Sequence, residues 1–244
     1  MPAEALLSVR GISKRFGGLL ALSSIAFDVA PGDVFGIIGP NGAGKTTLFS
    51  CLVGALAPTS GEIWFRGERI DGLPNHAAVK RGIVRTHQIV RPFRAMSVTE
   101  NVAVAAHFGA GRRRGSDAAR RVREILERTA LASEADALAG ALTIGQLKRL
   151  EIARALATEP LVICLDEVMG GLNPAEIQSA MALVRAIRDS GVTVLMIEHH
   201  VHAVVGVSNR ILVLNFGQTI AEGPPQAVLR EPAVISAYLG DEAT

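Results

Sequence analysis

The fold class that the sequence predicts is α/β: a mixed, mainly parallel sheet core, an antiparallel β subdomain and an inserted α-helical subdomain. Three observations carry that prediction. Short apolar runs alternate with helical patterns, the sequence habit of βαβ units with a parallel sheet and right-handed crossovers. A glycine-rich loop, Gly39-Pro40-Asn41-Gly42-Ala43-Gly44-Lys45-Thr46-Thr47, stands between an apolar run and a helical one. The middle third drops the strand pattern and reads as amphipathic helices.

Taken in order, Leu6 to Arg10 and Ser23 to Val29 are short apolar runs bounded by Gly, Pro and Asp, as antiparallel strands are. Asp33 to Gly39 is a compact apolar strand, and Lys45 to Gly54 reads as a helix. Glu62 to Phe65 predicts a strand, Pro74 to Lys80 a short helix and Gly82 to Arg85 a further strand. Ser97 to His107 and Asp117 to Ala130 are helical, separated by a loop containing Arg112, Arg113 and Arg114, which is read as solvated, with a phosphate or lipid-head contact as the alternative. The sheet resumes at Leu161 to Leu165, a helix follows from Pro174 to Ser190, and Val192 to Ile197 and Arg210 to Leu214 are strands. Pro224 to Leu239 reads as two short helices. The expected division is one domain over 1–244, with 1–90 and 160–244 as core and about 91–159 as the helical part.

Composition narrows the function classes. With 244 residues and 49% apolar content, the chain can bury a sizeable core. A net charge of +2 and 4% aromatic residues argue against nucleic acid as a partner, because neither a basic face nor a stacking platform is supplied. Apolar runs are broken well before the ~18 residues of a membrane span, and the first residues lack a signal-peptide pattern. Cys51 and Cys164 form no disulfide framework and read as small buried hydrophobes in a reducing compartment.

The glycine-rich loop fits G-x-x-x-x-G-K-[ST] at each fixed position, in strand-loop-helix context. Backbone N–H groups from Gly39, Asn41, Gly42, Ala43, Gly44 and Thr47 would cradle nucleotide phosphates, Lys45 would supply a cation, and the Thr46 hydroxyl a Mg²⁺ ligand. A strand ending in Asp166-Glu167 puts two carboxylates at the sheet's C-terminal edge. Asp166 would hold Mg²⁺ through its water shell, and Glu167 would orient and deprotonate the attacking water. These residues by themselves specify a phosphate-loop NTPase.

Leu142-Thr143-Ile144-Gly145-Gln146, just upstream of the acidic strand, resembles the signature motif of the ABC ATPases. That resemblance implies that Thr143, Gly145 and Gln146 bind the γ-phosphate of ATP held by a second cassette, making the active unit a homo- or heterodimer. It further implies that Phe16 stacks on adenine, that Gln88 senses both Mg²⁺ and the membrane subunit, and that His199 is a switch histidine that holds Glu167 and the water in line. His200 and His202 are not read as metal ligands, since no Cys or acid completes a set. Two departures stand out: Val168-Met169 replaces the proline that commonly follows the catalytic acid, and Asn173 replaces an aspartate. A looser aim of Glu167 is expected from the first.

Arg15-Phe16-Gly17-Gly18, Glu151 to Ala157, Gly171 to Pro174, Ile197 to His199 and Ala237 to Gly240 are similar to the larger ATP-binding subunit of branched-chain amino-acid importers. The resemblance implies transmembrane permease subunits, an external solute-binding protein, and a peripheral place on the cytoplasmic face of the cell membrane. A urea or amide importer, a lipopolysaccharide exporter and a soluble, non-transport ATPase of the same family are the alternatives.

Overall fold

The computed structural model describes residues 5–86, 91–109 and 115–239. The chain opens with a long antiparallel hairpin, β1 (Leu7–Phe16) and β2 (Leu19–Val29), which turns at Gly17-Gly18. Both strands extend beyond the runs legible in the sequence because register shifts between Val9 and Arg15 break the alternation that would have marked them. The buried strand β3 (Val34–Ile38) leads through the glycine-rich loop into α1 (Lys45–Leu52). Next come β4 (Ser60–Phe65), a two-residue β5 (Glu68–Arg69), α2 (Asn75–Arg81) and β6 (Ile83–Arg85).

Among the described residues of the middle third, three α-helices stand out: α3 (Val98–Phe108), α4 (Gly115–Arg128) and α5 (Ile144–Ala157). The starts of α3 and α5 are set by capping boxes, Ser97 with Glu100 and Thr143 with Gln146, which satisfy backbone N–H groups that a helix end leaves open. The sheet then resumes through β7 (Val162–Asp166), α6 (Pro174–Asp189), β8 (Thr193–Ile197), α7 (Val201–Val207), β9 (Arg210–Asn215) and β10 (Gln218–Gly223). Two short helices, α8 (Pro225–Val228) and α9 (Pro232–Leu239), end the described chain.

Among the described residues there are two sheets, one ordered β2-β1-β4-β5 and the other β10-β9-β3-β8-β7-β6. The first is antiparallel throughout; the second is parallel except for its edge strand β10. Alternation along β3, β7, β8 and β9 sorts the core into two layers. Phe35, Ile37, Cys164, Leu195 and Leu212 face α1 and the antiparallel sheet, where Leu48 and Phe49 are fully buried. Val34, Ile38, Ile163, Met196 and Val213 face the other way, into one apolar cluster shared with α3, α4, α5 and α6. Both cysteines are free and buried, and burial raises their thiols to about 11 for Cys51 and about 12 for Cys164. No described helix is long and apolar enough to cross a membrane.

Candidate functional site

Register fixes which loops meet. Ile197 is level with Ile37 on one side and with Asp166 on the other, so β3, β8 and β7 end together at one edge of the sheet. The chain beyond those ends carries the glycine-rich loop, His199 and Glu167, at the C-terminal edge where ligands of parallel sheets bind.

The loop is built for close approach. Gly39 sits at φ 147, and a Cβ there would lie 2.1 Å from the Leu214 carbonyl oxygen. Gly44, at φ 98, ends the loop as the N-cap of α1, whose first turn carries no acid to compete with an anion. Lys45 is buried and its Nζ donates to the carbonyls of Gly39 at 2.6 Å and Pro40 at 2.8 Å. Burial holds its pKa below the usual lysine value, with Glu167 and Asp166 partly opposing that shift. The C-terminal segment also reaches this loop: burial raises the Tyr238 phenol to about 12, and the nearby Gly39 backbone opposes that rise.

A cleft of about 520 Å³ opens in front of the loop, within the size range of small-molecule sites. Its walls combine Asn41 to Thr47, Glu167 and His199 with the apolar Phe16, Leu19, Leu20 and Phe216. The apolar part is unusually open: Leu19 is 68% and Phe216 85% exposed. Phe216, at φ 44 in the β9–β10 turn, was not legible as a site residue, because nothing in Asn215-Phe216-Gly217 reveals that the turn lies against Ala43 and Ala21. Lys14 places its Nζ 5.2 Å from the centroid of the Phe16 ring.

Asp166 and Glu167 are neighbours with different surroundings. Asp166 is fully buried; its Oδ2 takes a 2.5 Å hydrogen bond from Arg85, and its Oδ1 has no hydrogen-bond partner. A buried carboxylate oxygen left unsatisfied costs free energy, and the hydrated shell of a hard cation such as Mg²⁺ would satisfy it. Among the described residues no cluster of three or more His, Cys, Asp or Glu could enclose an ion alone.

Glu167 adopts φ 50, a left-handed conformation that costs a non-glycine residue about 1–3 kcal/mol. Its N–H donates to the Ile197 carbonyl at 2.9 Å, and its Oε1 lies 2.7 Å from His199 Nε2. The loop that follows has no proline, yet it is closed by hydrogen bonds. Met169 N–H donates to the buried Glu198 at 2.8 Å, Gly170 N–H to the Glu167 carbonyl at 3.3 Å, and Lys148 Nζ to that same carbonyl at 2.9 Å. Burial raises the Glu198 carboxyl to about 7, against the opposing pull of the Met169 N–H and of Lys148. Lys148 and Glu198 were passed over in the sequence, since their importance depends on distances between elements far apart in the chain.

Thr143, Gly145 and Gln146 do not join this cleft. They line a separate crevice of about 220 Å³ together with Lys148, Val168 and Glu176. A Cβ on Gly145 would come within 2.7 Å of Glu176 Oε1, the tip of a flexible side chain that would have to move aside. Asn173, the second departure, is the N-cap of α6 and accepts from Glu176 N–H at 3.0 Å. Gln88 and Arg112 to Arg114 lie outside the described residues.

Comparison with known proteins places this geometry. The ABC transporter family model matches residues 22–170, and a model described as branched-chain amino acid ATP-binding cassette transporter matches 218–244. The chain is 42% identical to the high-affinity branched-chain amino acid transport ATP-binding protein LivG of Escherichia coli K12, over 98% of this chain and 99% of the relative. It is 43% identical to BraF of Pseudomonas aeruginosa, described in the same words, with the same coverage. Among solved structures, the ADP conformation of MJ1267, an ATP-binding cassette of an ABC transporter, superposes with a TM-score of 0.89 at 32% identity, covering 98% of this chain and all of the other.

Proposed function

The chain belongs to the ABC transporter ATP-binding family and is an ATP hydrolase, and on that premise we propose that it powers import of branched-chain or other hydrophobic amino acids by splitting Mg-ATP between two cassettes. The observation that carries the catalytic part is the Glu167–His199 contact of 2.7 Å at the mouth of the cleft that also holds the phosphate loop. The substrate class is supported by full-length similarity to LivG and BraF and by the family match at the C-terminal end.

In this reading the adenine enters the cleft against Phe16, and the phosphates lie on the N–H groups of Gly39, Asn41, Gly42, Ala43, Gly44 and Thr47. Lys45 exchanges the Gly39 and Pro40 carbonyls for phosphate oxygens, whose negative charge opposes the lowering of its pKa by burial. Thr46, Gln88 and Asp166 would hold Mg²⁺, which supplies neutralisation of charge on the transferring phosphoryl group. Glu167 accepts the proton of the attacking water, and His199, 2.7 Å from that carboxylate, contacts the γ-phosphate and holds Glu167 and the water in line. Thr143, Gly145 and Gln146, standing apart from their own cleft, serve the ATP of the facing cassette.

Part of the same proposal is a core of 1–90 and 160–244 with a helical subdomain over about 91–159. A groove of about 770 Å³, lined by Val53, Val79, Arg85, Arg91, Glu151 and Arg154, lies between the two and suits a helix of a permease subunit. Arg85 belongs both to that groove and to the Asp166 ion pair, so docking and the nucleotide site share a side chain. The chain then sits peripherally on the cytoplasmic face, with solute chosen by the permeases and an external binding protein.

The test is uptake by proteoliposomes carrying this chain with its permeases and binding protein. Leucine uptake that requires internal ATP and is abolished by Glu167→Gln is expected. ATP-driven uptake of urea in place of leucine, or outward movement of lipopolysaccharide, would replace the solute assignment while leaving the ATPase intact.

A further inference from the structure

Lys148 lies on α5 just beyond the Thr143-to-Gln146 cap, and it is only 9% exposed. A buried ammonium is tolerated when its charge and donors are met. Nζ donates at 2.9 Å to the backbone carbonyl of Glu167, and it is close enough to Glu198 to oppose the rise in that carboxyl's pKa. Glu198 in turn receives the Met169 N–H at 2.8 Å. The strained Glu167 backbone is thereby held from two sides, by a helix on one and by the end of β8 on the other.

The helix is a 14-residue unit, about 21 Å long, whose Leu150, Ala153 and Leu156 are buried in the main apolar cluster. Such a rod moves as one body. Its first turn and Lys148 line the same crevice as Val168 and Leu172, the residues that follow Glu167.

We propose that Lys148 is a positioning residue that ties the backbone of Glu167 to the first turn of α5, so that seating the facing cassette's ATP on Thr143 and Gly145 is transmitted to the carboxylate of the same chain. The proposal rests on the two-cassette reading above and adds to it a link within each chain between the two ATP sites. The hydrogen bond is to a main-chain carbonyl, so it sets the direction of the Glu167 side chain without touching substrate. Misplacement of a reacting group by about 1 Å costs on the order of 100-fold in rate, so loss of one of several tethers should cost about tenfold.

The experiment uses the full chain and the variants Lys148→Met, which keeps the aliphatic stem, and Lys148→Arg, which keeps the donor. Steady-state ATPase gives kcat and KM, and thermal melting gives Tm. The expected result is a kcat about tenfold lower for Lys148→Met, with KM for ATP within twofold, Tm unchanged, and at least half of the lost kcat restored in Lys148→Arg. The double variant Glu167→Gln/Lys148→Met should still form an ATP-bound dimer, since binding and docking are separate from the aim of the acid. An unchanged kcat would overturn the proposal, as would a joint loss of kcat, KM and Tm that arginine does not repair. Failure of the reading beneath it looks different: Thr143→Ala leaves kcat intact, or Glu167→Gln alone traps no dimer, and the proposal then falls with that reading.

Discussion

Glu198 sits one residue before His199 and is 2% exposed, and it shows how much of the site depends on groups that no motif announces. Its pKa rises from 4.5 to about 7, so the folded chain binds the proton more tightly than the unfolded chain does. The stabilisation from this proton is complete below about pH 4.5 and is lost as pH rises to about 7, a difference of at most about 3 kcal/mol. Glu198→Gln keeps an acceptor for Met169 N–H and removes the titration; its Tm should therefore lack a decline that wild type shows between pH 5 and 7. Equal slopes in the two proteins would refute this. Lys45→Ala removes the buried cation of the phosphate loop and should raise KM for ATP and lower kcat by at least 100-fold without loss of fold, measurable by ATPase and melting. Lys45, Asp166 and Glu167 could be singled out as candidates in the sequence because a fixed spacing or a strand end marks them. Glu198, Lys148 and Phe216 were hidden because only the assembled fold brings them near the cleft or the catalytic loop.

At the scale of elements, helices with strong caps and fully buried strands were readable, and edges were not. The capping boxes at Ser97 and Thr143 follow the S/T-x-x-E/Q pattern, and β3, β7 and β8 are continuous apolar runs. β10, by contrast, is a partly exposed edge strand, Gln218 to Gly223, with no apolar run to declare it, and α7 is only seven residues long. The Thr143 cap has two duties in this account. Thr143→Ala should cost about 1 kcal/mol of stability through the lost hydrogen bond to Gln146 N–H, while ATPase falls far more than that destabilisation explains. A kcat that merely tracks Tm would make Thr143 a cap and nothing else. Deep in the other layer, Phe49→Ala should cost about 3–5 kcal/mol, because the ring is fully buried between α1 and both sheets, and urea unfolding would show it.

For the molecule as a whole, the arrangement has one property that a single chain does not resolve: the phosphate loop, Glu167 and His199 share a cleft, but Thr143 and Gly145 face elsewhere. In the proposed function a second cassette turned to face the first would supply the missing contacts to each site. This expectation came from the resemblance of Leu142 to Gln146 to the ABC signature motif, whereas the separation of the two crevices is visible only in three dimensions. The most direct test is Mg-dependent ATPase activity of the purified chain against its own concentration, with Glu167→Gln followed by size-exclusion chromatography in ATP. Activity per molecule should rise with concentration toward a plateau, and the variant should be inactive and elute as an ATP-bound dimer. Activity per molecule independent of concentration, together with a variant that stays monomeric in ATP, would contradict the two-cassette site.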